Sequence, residues 1–274
     1  MSAKLYIVGT PIGNLGDFSP RAIETLRSVD FIAAEDTRVT LKLLNKFEID
    51  TPMISYHEHN KASRHEEIAS RIAAGESGAL VTDAGMPAIS DPGEDLVRFC
   101  HERGIAVESV PGPSALITAL AISGMPSQRF SFEGFLPVAK AERTERLVTI
   151  KQYEGTLIFY EAPHKLKSTL SDMLSVLGDR QIALVRELTK LHETVERTTL
   201  SGAVDMYSQK EPKGEYVLIV GGAQKEAATE YTIESAVELA KKYLGEGMGA
   251  SNAAKAAAAE TGFKKGDIYK ELIK

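Results

Sequence analysis

The stretch VTDAGMPAISDPG, Val81 to Gly93, puts two aspartates, two glycines and two prolines directly behind an apolar run, Ala79 to Thr82. That run suits a buried strand, and Asp83-Ala84-Gly85-Met86-Pro87 ends its period. Asp91 offers a helix N-cap, with Pro92 at the first helical position and Glu94 three residues beyond the cap. A helix is therefore predicted from there to Arg103, where Gly104 stops it. A connection of this kind usually takes about 2 to 6 residues. This one is longer, and its extra Gly and Pro can hold backbone amides and carbonyls open to a ligand; taken alone, a plain strand-to-helix connection explains it too.

Outward from this unit the same alternation repeats. Apolar runs at Leu5 to Val8, Phe31 to Ala34, Met53 to Tyr56, Ala79 to Thr82 and Ala106 to Val110 are each followed by a helical pattern. Helix starts are signalled at Ser19-Pro20, near Thr37, at Asn60, at Asp91-Pro92 and at Ser114, with Gly75, Gly104 and Gly124 as stops. Strands alternating with helices predict an α/β, doubly wound parallel sheet, whose ligands bind outside the carboxyl ends of the strands. Three Gly/Pro-rich loops fall at that edge: GTPIGN (Gly9 to Asn14), DAGMP (Asp83 to Pro87) and PGPS (Pro111 to Ser114).

After FEGFLP, read as the passage to a second unit, the pattern becomes helix (Lys140 to Gln152), strand (Thr156 to Tyr160), helix (Pro163 to Leu177), strand (Gln181 to Leu188), a polar β-like stretch (Thr194 to Leu200) and a last strand, Glu215 to Val220. This predicts a smaller α/β domain with a mixed sheet. AQKEAATEY, Ala223 to Tyr231, reads as a linker, and Thr232 to Lys274 as three short helices. Ala258, Gly262, Ile268 and Leu272 have helix-turn-helix spacing, which an Ala-rich helical hairpin explains equally well. The expected division is 1–125, 126–222 and 223–274.

The chain has 274 residues and a formal net charge of -6, so no global basic field holds a nucleic acid and any such partner needs a local patch. Its only cysteine, Cys100, sits in the Asp91 helix as a buried, inert thiol. No apolar segment approaches the ~18 residues of a membrane span. A soluble, cytoplasmic protein is expected.

The motifs narrow the chemistry. GTPIGN is neither the dinucleotide G-x-G-x-x-G nor a Gly-Lys-Ser/Thr phosphate loop, so a neutral or cationic ligand fits better than a nucleotide phosphate. AAEDTR places Asp36 and Arg38 at a strand end, where Asp36 could also cap a helix. SYHEHN sets His57 and His59 on one face of a possible strand; without a third ligand at fitting spacing, no metal is expected. FYEAPHK and RELTKLHE load Glu161, His164, Lys165, Arg186, Glu187 and Lys190 onto strand exits, where a cleft between the domains would collect them.

Taken in order, TPIGNLGD, AAEDTR, YHEHN, TDAGMPAISDPG, PGPSAL, FSFEGFLP, FYEAPHK, RELTK and KGEYVLIV resemble the tetrapyrrole methylase superfamily, and within it the branch that methylates ribose 2'-hydroxyls of small-subunit ribosomal RNA. The resemblance spans Leu5 to Gly222, and the last residues are similar to that branch's C-terminal appendage. It implies S-adenosylmethionine as methyl donor in a cleft between two α/β domains, a cytidine ribose as acceptor, the small ribosomal subunit or its RNA as partner, and a homodimer. The matching donor positions are Pro11, Asp83, Ala84, Gly85, Ile89, Ser114, Ala115, Glu161, Ala162 and Leu188. Met86 stands where the branch often has threonine, and Gly9 where proline can occur.

A sulfonium donor is already activated, so the protein mainly positions the acceptor oxygen and removes its proton. Asp36, His57, Glu187 and Lys190 are the candidates for a base or for a cation facing developing alkoxide, and Arg38, Lys165, Arg186 and Lys213 for phosphate contacts. Rival readings are a methylase of a tetrapyrrole and a non-enzymatic RNA-binding assembly factor using the tail alone.

Overall fold

The structure is a computed structural model and describes residues 3–224 and 231–274. The first sheet contains β1 (Leu5–Val8), β2 (Phe31–Ala34), β3 (Met53–Ser55), β4 (Gly78–Val81) and β5 (Val107–Val110), all parallel, in the order β3-β2-β4-β1-β5. The helices between them are α1 (Pro20–Ser28), α2 (Thr37–Lys46), α3 (Lys61–Ala73) and α4 (Glu94–Glu102), with α5 (Ala115–Ser123) following β5. Ser19 caps α1 ahead of Pro20, and Asp36 caps α2. One face of the sheet packs Val8 and Ile32 against Phe18, Leu26 and Leu44. The other packs Leu5, Phe31 and Leu80 against Tyr56, Ile68, Leu96 and Cys100. Burial pushes the Cys100 thiol up to about 11, which leaves it an inert core group.

The predicted helix at Asp91-Pro92 starts later, at Glu94 behind Gly93. Gly93 has φ 148°, and a Cβ there would come within 2.8 Å of Leu80. The Asp91 carboxyl lies in hydrogen-bonding reach of the Thr82 hydroxyl, where it caps nothing. A second difference concerns α5, which leaves its own sheet. Its Leu116, Ala119 and Leu120 pack on Ile158, Val185, Val217 and Ile219 of the second sheet.

That second sheet holds β6 (Phe130–Phe135), β7 (Thr156–Glu161), β8 (Gln181–Arg186), β9 (Thr194–Thr199) and β10 (Tyr216–Val220), in the order β6-β7-β10-β8-β9. β6 runs parallel to β7 and the other pairs are antiparallel, giving a mixed sheet. Its far face is covered by α6 (Lys140–Ile150), α7 (Pro163–Leu177) and α8 (Leu200–Gln209). Two of these elements differ from the expectation. FEGF is part of β6 and not a passage, its alternation hidden by a bulge at Phe132/Gly134. LSGAVDMYSQ forms α8 despite Gly202, because Thr199 caps it through the Gly202 amide.

Backbone packing divides the chain into two compact units, Met1–Ala223 and Gln224–Lys274. The second holds α9 (Ile233–Gly245), α10 (Ala250–Thr261) and α11 (Lys265–Leu272) around Ala236, Ala240, Ala254, Ala257 and Ile268. Gly262, at φ 75°, makes the turn between α10 and α11. Of the expected linker, residues 225–230 lie outside the described residues.

Arg143 on α6 anchors the chain beyond β6. It donates to Asp172 from Nε (2.8 Å) and Nη2 (2.6 Å), and from Nη1 to the carbonyls of Pro137 (3.1 Å) and Val138 (2.8 Å). The guanidinium is buried, so Asp172→Ala strands a charge in the core. We expect a loss of about 3 to 5 kcal/mol, read as a lowered urea midpoint.

Candidate active site

The carboxyl ends of β1, β4 and β5 are tied to one another by backbone. The Thr10 N–H donates to the Gly85 carbonyl (2.9 Å), and the Gly85 N–H returns a bond to Thr10 (3.1 Å). The Thr10 hydroxyl donates to the Thr82 carbonyl at 3.1 Å. Gly9 crosses Gly112 so closely that a Cβ on Gly9 would lie 2.7 Å from the Gly112 Cα. Two of the three loops thus meet as a small antiparallel bridge, and the third lies directly against it.

Facing them are the ends of β7, β8 and β10. Between the two sheets lies a cavity of about 470 Å³, a size suited to a small-molecule ligand. From the first sheet it is lined by Ile12, Ala84, Gly85, Met86, Ile89, Ser90, Asp91, Ser114 and Ala115. From the second it is lined by Phe135, Tyr160, Glu161, Ala162, Pro163, Val185, Leu188, Glu215, Tyr216 and Val217. No lysine, arginine or histidine is among these residues, whereas Asp91, Glu161 and Glu215 are. The Tyr160 hydroxyl accepts the Leu116 amide at 3.1 Å, joining β7 to the start of α5, and Phe132 and Phe135 pack edge-on against its ring.

Eight of the ten expected donor residues line this cavity: Ala84, Gly85, Ile89, Ser114, Ala115, Glu161, Ala162 and Leu188. Pro11 and Asp83 do not. The Asp83 carboxylate accepts the Asp36 amide at 3.1 Å, and burial pushes its pKa up against that bond. Glu161 is buried; it accepts the Ala162 amide (2.9 Å) at the N-cap of α7 and the Thr169 hydroxyl (2.5 Å) from within that helix. The remaining lining residues, Ile12, Met86, Ser90, Asp91, Phe135, Tyr160, Pro163, Val185, Glu215, Tyr216 and Val217, were missed, Asp91 having been read as a helix cap. Apart from Met86, Ser90 and Asp91 in their irregular loop, these read in the sequence as ordinary sheet or loop residues.

The charged residues expected to share the cleft are mostly elsewhere. Of Glu161, His164, Lys165, Arg186, Glu187 and Lys190, only Glu161 lines it. Glu187, in the left-handed region at φ 52°, accepts from Lys190 (3.1 Å) and from the Glu215 amide (3.0 Å). Burial acts against the Glu187 carboxylate, but these bonds hold its pKa below the usual range. Burial likewise acts against the Lys190 ammonium, and its bonds to Glu215 and Glu187 outweigh it, so Lys190 stays charged. Neither is free to take a proton. Arg186 donates to the Thr194 hydroxyl at 3.2 Å, Lys165 is half-buried on α7, and Lys213 is exposed.

Asp36 accepts from the Arg38 backbone and guanidinium, and these bonds bring its pKa down to about 2. His57 and His59 lie beyond the end of β3 and not on a strand, their rings 6.0 Å apart. The His57 amide donates to Asn60 and its Nδ1 is buried with no hydrogen-bond partner. Among the described residues no group of three or more His, Cys, Asp or Glu is arranged to hold a metal ion.

Two α/β sheets, a backbone-rich cavity at their strand ends and a helix crossing from one to the other define the class: residues 4–204 match the family model for tetrapyrrole (corrin/porphyrin) methylases, and the chain belongs to that family. Among individual relatives, it is 46% identical over 266 residues to the ribosomal RNA small subunit methyltransferase I of Synechocystis sp., covering 97% of this chain and 95% of that one. It is 48% identical over 268 residues to the protein of the same name from Halalkalibacterium halodurans, covering 97% and 93%. Among solved structures, uroporphyrin-III C-methyl transferase from Thermus thermophilus, complexed with S-adenyl homocysteine, matches with a TM-score of 0.57 at 17% identity, over 80% of this chain and 97% of that one.

The Asp36 arrangement has a measurable signature. Its pKa is depressed, so its bonds to Arg38 persist as pH falls through the ordinary carboxylate range and are lost only near pH 2. A carboxyl-carbon NMR titration is expected to find its midpoint near 2, and Asp36→Asn to leave the shape of any activity profile between pH 5 and 9 unchanged.

Proposed function

We propose that this chain transfers a methyl group from S-adenosylmethionine to the 2'-hydroxyl of a cytidine in small-subunit ribosomal RNA, in the cytoplasm. The observation that carries the reading is the cavity's character: acidic and backbone-lined, with no cation among its lining residues. A nucleotide phosphate finds no charge partner there, whereas a sulfonium cation and an amino-acid moiety find carboxylates and open amides. The names of the relatives supply the acceptor class.

Ile12, Ile89, Val185 and Leu188 offer apolar surface for an adenine ring, and Ala84, Gly85, Ser114, Ala115 and Ala162 hold backbone groups toward the donor. Glu161 orders the start of α7. Pro11 and Asp83 act from behind, shaping the two bridged loops. The donor, when bound, supplies an activated methyl carbon, and the protein's part is to orient the acceptor and accept its proton. Arg38, Lys165, Arg186 and Lys213 meet phosphates outside the cavity, Arg38 being 87% exposed even while paired with Asp36. Residues 1–125 and 126–222 serve as the two halves of the donor site, with 223–274 as an appendage.

A homodimer is part of the proposal. ALITALAIS, the whole of α5, is apolar or small on every face, yet Ile117 and Ile122 are exposed. A helix apolar all round is ordinarily covered on all sides.

Labelled S-adenosylmethionine incubated with small subunits lacking the modification is expected to yield 2'-O-methylcytidine on nucleoside analysis. Donor binding without transfer to subunits or their RNA would instead point to a small-molecule acceptor. Leu188→Arg, which places a cation where a cation binds, should weaken donor affinity at least ~100-fold by calorimetry, about 2.7 kcal/mol. Ile117→Glu with Ile122→Glu should halve the mass found by sedimentation; an unchanged mass removes α5 from the dimer interface.

A further inference from the structure

A second cavity, of about 570 Å³, opens beside the donor cavity along the same edge of the first sheet. The donor cavity takes its lining from the loops after β1, β4 and β5, and this one from the chain after β2, β3 and β4. Ile89, Ser90 and Asp91 line both. A methyl group passing between two bound molecules must cross where their sites meet, so the acceptor belongs in the second cavity with its ribose at this wall. Asp91 serves the donor; the side chains that meet the acceptor's base stand further along the edge. We propose that the second cavity receives the acceptor nucleoside, and that Glu35 and His57 read its base and select cytosine against uracil. This deepens the methyl-transfer reading above and rests on it.

Strand register sets the two residues side by side. Ala34, at the end of β2, pairs with Ser55 on β3 and with Val81 on β4, and the Tyr56 amide donates to the Ala34 carbonyl at 2.8 Å. Glu35 and His57 therefore leave neighbouring strands, about 5 Å apart, just past their last bond. Glu35 is held from the β4 side, its Oε2 accepting the Thr82 hydroxyl (2.5 Å) and the Asp83 amide (3.5 Å). Both bonds use Oε2, which leaves Oε1 for the cavity that Glu35 lines. His57 is held by Asn60, which accepts the His57 amide (2.9 Å) and donates to the Ser55 carbonyl (3.1 Å). Its Nδ1 is buried without a partner among the described residues. A buried N–H lacking an acceptor is rarer than a buried acceptor lacking a donor, so the ring hydrogen belongs on Nε2. Nε2 then offers that hydrogen to the cavity His57 lines.

One fixed acceptor beside one donor is the complement of cytosine. The Watson–Crick edge of cytosine offers its N4 amino donor next to the N3 acceptor; uracil offers the O4 acceptor next to an N3–H donor, the reverse at both positions. Cytosine N4 donates to Glu35, as it does to Glu or Asp in nucleic-acid grooves, and N3 accepts from His57. Uracil would set O4 against a carboxylate and N–H against N–H, leaving desolvated groups unpaired on both sides. Adenine carries the same two groups on a larger ring, so this pair decides between the pyrimidines. The rest of the lining opposes phosphate: Glu58, Glu94 and Asp95 stand against one lysine, Lys61, already paired with Glu58 (2.7 Å) and Asp95 (2.8 Å). Its bonds to Asp95 and Glu58 push the Lys61 pKa up, so the ammonium stays charged and occupied. A neutral base enters, and its phosphates stay outside with the exposed Arg38.

The test is single-turnover methyl transfer, at saturating donor, to unmodified small subunits that carry cytidine or uridine at the target position. Wild type should prefer cytidine at least ~100-fold. Glu35→Gln can turn an amide N–H toward O4 while keeping an oxygen for Thr82, so it should raise uridine transfer and cut the preference at least ~10-fold. The preference is a ratio within one preparation, which a partly unfolded variant leaves unmoved. His57→Gln places an amide at the Nε2 position and His57→Asn at the Nδ1 position. The first should keep the half-saturating concentration of cytidine subunits within about threefold of wild type, and the second should raise it at least ~10-fold. The proposal is overturned if Glu35→Gln keeps the wild-type preference within about threefold, or if His57→Asn matches His57→Gln. Wild-type transfer to uridine within about tenfold of that to cytidine overturns it and leaves the RNA reading intact, whether or not any variant folds. If wild type methylates neither target, the RNA reading fails and this assignment goes with it.

Discussion

A pair of backbone hydrogen bonds between Thr10 and Gly85 determines where everything else in the site can stand. They join the loops that leave β1 and β4, neighbouring parallel strands whose connections would otherwise diverge toward helices on opposite faces of the sheet. The contact of Gly9 with Gly112 brings the β5 loop against the same point. With the three loops joined, the floor of the donor cavity is continuous backbone. The chain leaves it through α5, which crosses to the second sheet and fixes that sheet's strand ends opposite. The cavity is thus the space between two edges whose separation is set by one apolar helix.

The first sheet was legible because its strands are uninterrupted apolar runs punctuated by caps and glycines; Ser19-Pro20 and Gly124 mark their helices at almost the residue. The second was less so. β6 carries a bulge that breaks a two-residue period, and α8 carries a glycine that lowers helix propensity, offset by a cap three residues earlier. The helix at Glu94 shows the limit of reading caps locally. Asp91, Pro92 and Glu94 satisfy every cap rule, but the Asp91 carboxyl meets Thr82, far back at the end of β4, and Gly93 makes the entry instead.

The same contrast runs through the site. Loop backbone could be anticipated, since Ala84, Gly85, Ser114 and Ala115 lie in stretches whose composition is unusual. Charged side chains could not, because a charge at a strand exit is placed by whichever opposite charge reaches it first. Asp36 closes on Arg38, and Glu187 on Lys190, each within three residues, and each pair is withdrawn from the cavity. Tyr160, Val185 and Val217 carry no marker at all; they face the cavity only because the sheet ends there.

Gly9 and Met86 are two departures from the pattern of the branch this chain resembles, and they touch. A Cβ on Gly9 would lie 2.7 Å from the Met86 sulfur, the same distance as from the Gly112 backbone. The long thioether occupies the room that the missing side chain leaves. The two differences therefore meet at one point of the joined loops, where the Gly112 backbone, which cannot give way as a thioether can, leaves position 9 no room for a side chain.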